Sequence, residues 1–175
     1  LKKEITEFVA LEDTIKIYLV KLTNKLSEKM TIDVDFWINP VFGNFEEKTA
    51  RHILTEFVDS DNYLKLRNVY SIAYSDVCVF MSTNLKIISF VNDKILIKSI
   101  QAQVTLNANE EVTGVFVLGS SMNSENIPNL LSKFTDVNKA KKELDLVKKH
   151  WQKTLNVVQV NSPDKSFNYM INGWY

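Results

Sequence analysis

Four residues on one short stretch, Asp33, Asp35, Trp37 and Asn39, are of the types that proteins use to hold sugars. A sugar offers C–H faces that lie flat on an aromatic ring, and vicinal hydroxyls onto which a carboxylate or amide can fork. Alternate residues of an extended strand point the same way, so this spacing gathers all four on one face. The stretch runs on as Trp37-Ile-Asn-Pro-Val-Phe-Gly43, a loop that adds a second aromatic, Phe42. The plainer reading of the same residues is a sheet rim covered by Trp37, with the aspartates facing water.

Catalytic chemistry is harder to assemble. Glu46 with Glu47, and Glu110 with Glu111, are adjacent carboxylates. Neighbours in sequence point apart or sit in turns, whereas glycosidic acid–base chemistry needs two carboxyls converging across a bond. His52 and His150 lie far apart, with no Cys or carboxylate at ligand spacing, so the residues assign no metal and no histidine-driven nucleophile. Cys78 is the single cysteine and stands in an apolar run with Val77, Val79, Phe80 and Met81. That context predicts a buried, inert thiol in a reducing compartment. With only four glycines there is no loop to cradle a phosphate. No catalytic residue and no cofactor is assigned.

Strands must position the candidate residues. Met30, Ile32, Val34, Phe36 and Ile38 alternate with Thr31, Asp33, Asp35, Trp37 and Asn39, which predicts a strand with one buried face. Ile100 to Asn107 and Val112 to Leu118 alternate in the same way, joined by the turn Asn107-Ala-Asn-Glu-Glu. Thr14 to Thr23 is rich in β-branched and aromatic residues, and Asn24-Lys-Leu-Ser leads from it towards Met30. Shorter strands are predicted at Ile5–Val9, His52–Val58, Tyr63–Asn68, Val77–Ser82, Lys86–Val91 and Ile95–Ile97. One helical turn is predicted between Glu46 and Ile53. Many short strands without intervening helices predict an antiparallel sandwich.

After Gly119 the pattern changes. Ile127-Pro128 to Phe134 predicts a short helix. Asp136 then caps a longer one, with Val137, Ala140, Leu144, Val147, Trp151 and Leu155 on one stripe and Lys139, Lys142, Lys149 and Lys153 opposite. The lysine face is read as solvated. A strand-like run (Val157, Val158, Val160) follows, and Ser162-Pro163-Asp164 opens a last helix with Pro at its first position. That helix carries Phe167, Met170, Ile171 and Trp174 at helical spacing. It is short to stand alone, and it reads as the opening of a further domain, so the chain is expected to be a piece of a longer protein.

The bulk composition agrees with a globular protein: 45% hydrophobic and 24% charged over 175 residues. The 21 basic and 21 acidic side chains cancel, which argues against nucleic acid or an anionic membrane as main partner. No run approaches the roughly 20 apolar residues of a membrane span.

Several segments, in order, resemble glycoside hydrolase family 94, formerly glycosyltransferase family 36. These are the cellobiose and chitobiose phosphorylases and the phosphorylase-like portion of cyclic β-1,2-glucan synthases. Thr14-Ile-Lys-Ile-Tyr-Leu-Val-Lys-Leu-Thr-Asn24 is similar to a sandwich strand of that family ending in its leucine-threonine-asparagine turn. Phe36-Trp37-Ile-Asn-Pro-Val-Phe-Gly43 resembles its aromatic strand and following loop. Arg51-His-Ile-Leu-Thr-Glu56 and Leu66-Arg-Asn-Val-Tyr70 resemble its threonine-glutamate and arginine-asparagine-x-tyrosine segments. Phe116-Val-Leu-Gly119 is similar to its last sandwich strand. Trp151-Gln-Lys-Thr-Leu155, Val160-Asn-Ser-Pro-Asp164 and Asn172-Gly-Trp174 resemble the linker helix and the entry into the family's helical barrel. Asn39-Pro40 and Gly173 depart from the pattern, which leaves the branch within the family open.

The resemblance implies a mainly β fold: an antiparallel β-sandwich, part of a mutarotase-like supersandwich, followed by linker α-helices. It implies a division into a sandwich at 1–120, a helical linker at 121–161, and at 162–175 the truncated start of a missing (α/α)6 catalytic barrel. The parent would be an inverting phosphorylase or glycosyltransferase acting on β-linked glucans, with inorganic phosphate as co-substrate in the first case. The implied partners are that barrel, carbohydrate and, in a dimer, a second copy, in the cytoplasm or at the cytoplasmic face of a membrane. The substrate-binding residues expected here are Asp35, Trp37, Asn39, Phe42, Arg51, Glu56 and Arg67. Two rivals remain: a self-sufficient carbohydrate-binding module, and a sugar mutarotase built around His52.

Overall fold

A computed structural model describes residues 1–43, 45–92, 97–157 and 159–174. Among these, nine strands form two antiparallel sheets. The larger has six strands in the order β1 (Lys2–Val9), β2 (Ile15–Thr23), β9 (Glu111–Ser121), β6 (Cys78–Thr83), β5 (Tyr63–Asn68), β4 (Ile53–Val58). The smaller has three, β3 (Met30–Ile38), β8 (Lys98–Leu106) and β7 (Lys86–Asn92), with β8 central. This is the mainly β sandwich expected from the sequence, with helices after it. Of the predicted strand Ile95–Ile97, residues 95 and 96 lie outside the described set and Ile97 is in no strand.

The period-two pattern of β3 has the anticipated consequence. Its apolar residues are half-buried towards the larger sheet, and Thr31, Asp33, Asp35 and Trp37 are exposed on the other face. From β8, Ile100, Ala102 and Leu106 are fully buried against Leu64, Leu66, Met81 and Phe116 of the larger sheet. A chain of rings crosses between the sheets: Tyr18 meets Phe36 edge-on at 5.1 Å, and Phe36 meets Phe116 at 5.5 Å.

The other face of the larger sheet is also covered. Helices α2 (Ile127–Phe134) and α3 (Val137–Leu155) pack on it, burying Ile127, Leu131, Phe134, Ala140 and Val147 against Ile15, Ile17, Phe80, Val115 and Val117. The result is three layers: small sheet, large sheet, helices. Two-sided burial explains why β2 and β6 carry apolar residues nearly throughout rather than in alternation. It also explains Gly119 in β9, where a Cβ would stand 2.4 Å from Phe80 Cζ and 2.9 Å from Ile15 Cγ1.

Local signals account for the boundaries. Pro128 sits in the first turn of α2, and Asp136 caps α3 by accepting a hydrogen bond from the Lys139 N–H at 2.9 Å. The turn before β9 uses Asn109 in the left-handed region, φ 59°. The helical turn expected at Glu46–Ile53 is α1 (Glu46–Thr49) continued by a 3-10 turn, Ala50–His52.

Two expectations at the C-terminal end need correction. The last helix, α4 (Lys165–Trp174), is opened by Asp164, whose Oδ1 accepts from the N–H groups of Ser166 (2.8 Å) and Phe167 (3.2 Å). Asp164 is therefore the cap, and Pro163 stands before it rather than at the first helical position. The run Val157, Val158, Val160 forms no strand: Val157 and Val160 lie outside any strand, and Val158 is outside the described residues. The backbone there is held by side chains instead. Asn172 donates to the Val160 carbonyl and accepts from its N–H, both at 2.8 Å. Asn168 does the same for Ser162, at 2.8 and 2.7 Å. Two amides one helical turn apart thus satisfy residues two apart on an extended segment, which removes its need for a strand partner.

Candidate functional site

The outward face of the smaller sheet is a polar strip with one large ring. Register pairs Asp33 with Gln103, Asp35 with Gln101 and Trp37 with Ser99. Gln103 donates to Asp33 at 2.9 Å, Ser89 of β7 donates to Gln101 at 3.0 Å, and the Thr31 and Thr105 hydroxyls meet at 3.0 Å. Trp37 is 62% exposed at the end of this strip. Its indole and the Asp35 carboxylate are two residues apart on one face, the arrangement that a sugar ring and its hydroxyls would use.

Beyond Ile38 the chain enters the loops at one end of the sandwich. Asn39 donates to Glu46 Oε1 at 2.9 Å, tying the loop to α1. Pro40 and Val41 follow, and Phe42 turns inwards, 6% exposed. Gly43 has φ +138°, a conformation only glycine adopts freely, and a Cβ there would lie 3.1 Å from Thr49 Cγ2. Asn68, at the end of β5 and 1% exposed, clamps this region. Its amide donates to the Phe42 carbonyl (3.3 Å), and its Oδ1 accepts from the N–H groups of Tyr70 (3.0 Å) and Ser71 (3.1 Å).

Two clefts flank Phe42. One, of about 690 Å³, opens between the ends of the two sheets and is lined by Ile38, Asn39, Phe42, Tyr74, Val79 and Leu118 among others. The second, of about 590 Å³, lies between Phe42, Lys48, His52, Asn68, Tyr70 and Ile72. Phe42 and Tyr74 meet edge-on at 6.5 Å, and His52 stacks flat on Tyr70 at 4.3 Å. Arg51 is exposed in the 3-10 turn beside His52. The walls are mainly apolar and aromatic.

Glu56 and Arg67 are elsewhere. They project from β4 and β5 on the face of the larger sheet that turns away from the smaller one. Glu56 pairs with Lys65 at 2.7 Å, and the Lys65 ammonium holds its carboxyl below the ordinary carboxylate range. The seven expected residues thus fall in three places. Asp35 and Trp37 share the outer strip, Asn39, Phe42 and Arg51 surround the end loops, and Glu56 and Arg67 lie a sheet's thickness away. The first two groups adjoin through β3. The third does not converge with them.

Asn68, Tyr70, Tyr74 and the His52–Tyr70 stack were not singled out from residue spacing. The signal for Asn68 and Tyr70 lay in the segment Leu66-Arg-Asn-Val-Tyr70, where the asparagine rather than the arginine points into the structure, and that for His52 in Arg51-His-Ile-Leu-Thr-Glu56; Tyr74 lay in neither. His52 has no hydrogen bond to a carboxylate among the described residues. No group of three or more His, Cys, Asp or Glu in metal-binding range occurs among them either. Cys78 is buried.

A different surface lies at the far end of α3. Val147 is the last member of its stripe to be buried. Trp151 is 54% exposed, Leu155 49% and Val157 78%, and on α4 Phe167 and Met170 are also exposed. The side chain of Trp174 is outside the described set. Among the described helices none is long and apolar enough to cross a membrane.

Comparison with known proteins sets these features in context. Residues 1–96 match the family described as glycosyl hydrolase 94, supersandwich domain. The chain is 25% identical over 203 aligned positions to the cyclic beta-(1,2)-glucan synthase NdvB of Rhizobium meliloti (strain 1021). That alignment covers 98% of this chain and 7% of the synthase, so the chain spans a small part of the relative it matches. A solved structure provisionally described as a kojibiose phosphorylase from human microbiome aligns with a TM-score of 0.46 and 14% identity, over 82% of this chain and 22% of that one.

Proposed function

The chain belongs to the glycosyl hydrolase 94 family through its supersandwich domain, and we propose that it serves there as a non-catalytic scaffold that seats a catalytic barrel. The parent enzyme is proposed to act on β-linked glucans, either building them as the similar synthase's name describes or cleaving them with inorganic phosphate as co-substrate. The observation that carries the scaffold role is the half-used stripe of α3. Its first turns are buried on the larger sheet, while Trp151 and Leu155 continue the same stripe into the open, followed by Phe167 and Met170 of α4. An apolar stripe leaving its own core is a docking surface for the domain that the two helices lead towards.

Sedimentation at rising concentration tests the docking surface. Self-association that weakens when residues 162–175 are deleted is expected, and a strict monomer with and without them would remove the argument. A second reading, direct contact with the glycan, is favoured by exposed Trp37 beside Asp35. Titration with β-linked gluco-oligosaccharides of different linkage, followed by tryptophan fluorescence, separates the two. No binding at millimolar sugar leaves a scaffold. Saturable binding to one linkage, abolished by Trp37→Ala, makes the outer strip part of the substrate site.

A further inference from the structure

Where α3 gives way to α4, two adjacent residues are fastened to different helices. The Gln159 amide donates to the Leu155 carbonyl at 3.1 Å and to Asn156 Oδ1 at 3.2 Å, so Gln159 is tied to the end of α3. Val160 is tied to α4 instead. Its N–H and carbonyl both meet the Asn172 amide, as those of Ser162 meet Asn168. Between this clasp and the helix, the Ser162 hydroxyl donates to the Asp164 carbonyl at 3.2 Å, and Asp164 caps the first turn. Every partner in this set lies within residues 160–172.

The clasp answers a weakness of the helix. α4 has ten residues, a length that is marginal for a helix standing alone. Asparagine is also a poorer helix former than alanine, so Asn168 and Asn172 lower the helix's own tendency and offset that loss only through the bonds they make. Each amide donates and accepts at once, and so serves one residue's N–H and carbonyl together, as a residue of a neighbouring strand would. The clasp also selects a side. At about 3.6 residues per turn, Asn168 and Asn172 lie on one side of α4, with Phe167 and Met170 turned towards the other. Val160, Ser162, Asn168 and Asn172 are half-buried, whereas Phe167 and Met170 are exposed.

We propose that residues 160–172 fold as one preassembled elbow, bounded from the α3 body between Gln159 and Val160, and that Asn168 and Asn172 are the positioning residues that set which side of α4 is offered to the domain beyond it. With the extended segment laid along its polar side, α4 turns its apolar side outwards. The orienting role rests on the scaffold reading above. The elbow does not, because none of the bonds that build it reaches outside the segment.

Amide hydrogen exchange on the whole chain tests the elbow. The Val160 and Ser162 amides should be protected and should exchange together with those of α4, as one cooperative unit. The double variant Asn168→Ala, Asn172→Ala should lower the protection of Val160, Ser162 and α4 at least tenfold, while Trp151 in α3 and Val115 and Val117 in β9 keep theirs. Alanine is the better helix former, so unchanged or raised protection of α4 in that variant overturns the proposal. So does a loss that spreads to Trp151. Asn172→Asp separates hydrogen bonding from shape. Its carboxylate accepts from the Val160 N–H but cannot donate to the carbonyl, whereas the protonated acid can do both. Protection of Val160, relative to the parent chain at the same pH, should therefore be lost near neutrality and recovered below about pH 4. A deficit that does not change with pH overturns the clasp. A strict monomer in the sedimentation test would remove the orienting role together with the scaffold reading, and the exchange measurement would still decide the elbow.

Discussion

Replacing Asn68 by alanine should unfasten the end of the sandwich without unfolding it. The side chain is buried and makes three hydrogen bonds to backbone: a long one of 3.3 Å to the Phe42 carbonyl, and two of 3.0 and 3.1 Å from Tyr70 and Ser71. A net hydrogen bond is worth about 1 kcal/mol, and leaving a buried partner unpaired costs more than that. The Tyr70 amide lies in an exposed residue and can turn to water, whereas Phe42 is buried and its carbonyl has less recourse. The sum is a loss of about 2–3 kcal/mol, within the roughly 5–15 kcal/mol of an ordinary domain. Urea unfolding should show a lower midpoint with an unchanged slope. Hydrogen exchange gives the decisive local readout: the Tyr70 and Ser71 amides should lose protection while those of Val115 and Val117 in the central strand keep theirs. A loss under about 0.5 kcal/mol, or Tyr70 and Ser71 amides already unprotected in the parent chain, would refute the clamp.

Two further outcomes rest on other side chains. The Thr55 hydroxyl on β4 is buried without a hydrogen-bond partner among the described residues. Thr55→Val, which keeps the β-branched shape and removes the orphan, should raise stability by up to about 1 kcal/mol in the same urea assay, and a loss would show that the hydroxyl is in fact satisfied. The Glu56–Lys65 pair predicts a pH dependence whose sign follows from the depressed carboxyl. A carboxyl lowered in the folded state contributes above its unfolded pKa, about 4.3, and the contribution vanishes as the pH falls through the folded value. Glu56 is exposed, so water and salt screen the pair. Glu56→Gln should cost less than about 1 kcal/mol at pH 7, less in high salt, and nothing in strong acid; an equal deficit at pH 7 and in acid would point to packing instead.

How far the fold could be read depended on how many sides of each element are buried. β3 and β8 have one wet face, so alternation located them almost to the residue. β2 and β6 lie between two cores, and their apolar residues on both faces indicated strands but hid the helical layer; β9 was expected to alternate like β3, yet Val115 and Val117 are buried under the helices as Phe116 is under the smaller sheet. The stripe of α3 was legible from Val137 to Leu155, but not the point at which its support ends, because Val147 and Trp151 differ only in what lies beneath them. The candidate site failed in a similar way. Glu56 and Arg67 have the right chemistry for a sugar hydroxyl, and their strand parity is plain. Which side of which sheet that parity faces is decided by long-range topology, and it turned both away from Trp37.

The asparagines are the more instructive omission. Asn24 and Asn68 each stood in a segment quoted for its resemblance to the family, and each is almost fully buried. Asn24 donates to the carbonyls of Glu28 (2.7 Å) and Asn107 (2.9 Å) and accepts from the Leu26 N–H at 2.9 Å, tying the connection after β2 to the turn between β8 and β9. Asn68 does the equivalent work at the loops around Phe42. An amide suits both posts because it donates and accepts at once, where a carboxylate would bury a charge and an aliphatic chain would leave three backbone groups unpaired. Neither role leaves a periodic trace, since each asparagine answers to loops brought together only in three dimensions. The polar residues most deeply committed to this domain therefore hold its loops in shape. Those most available to a ligand, Asp35 and Trp37, stand exposed on the outer strip of the smaller sheet, where neither holds a loop.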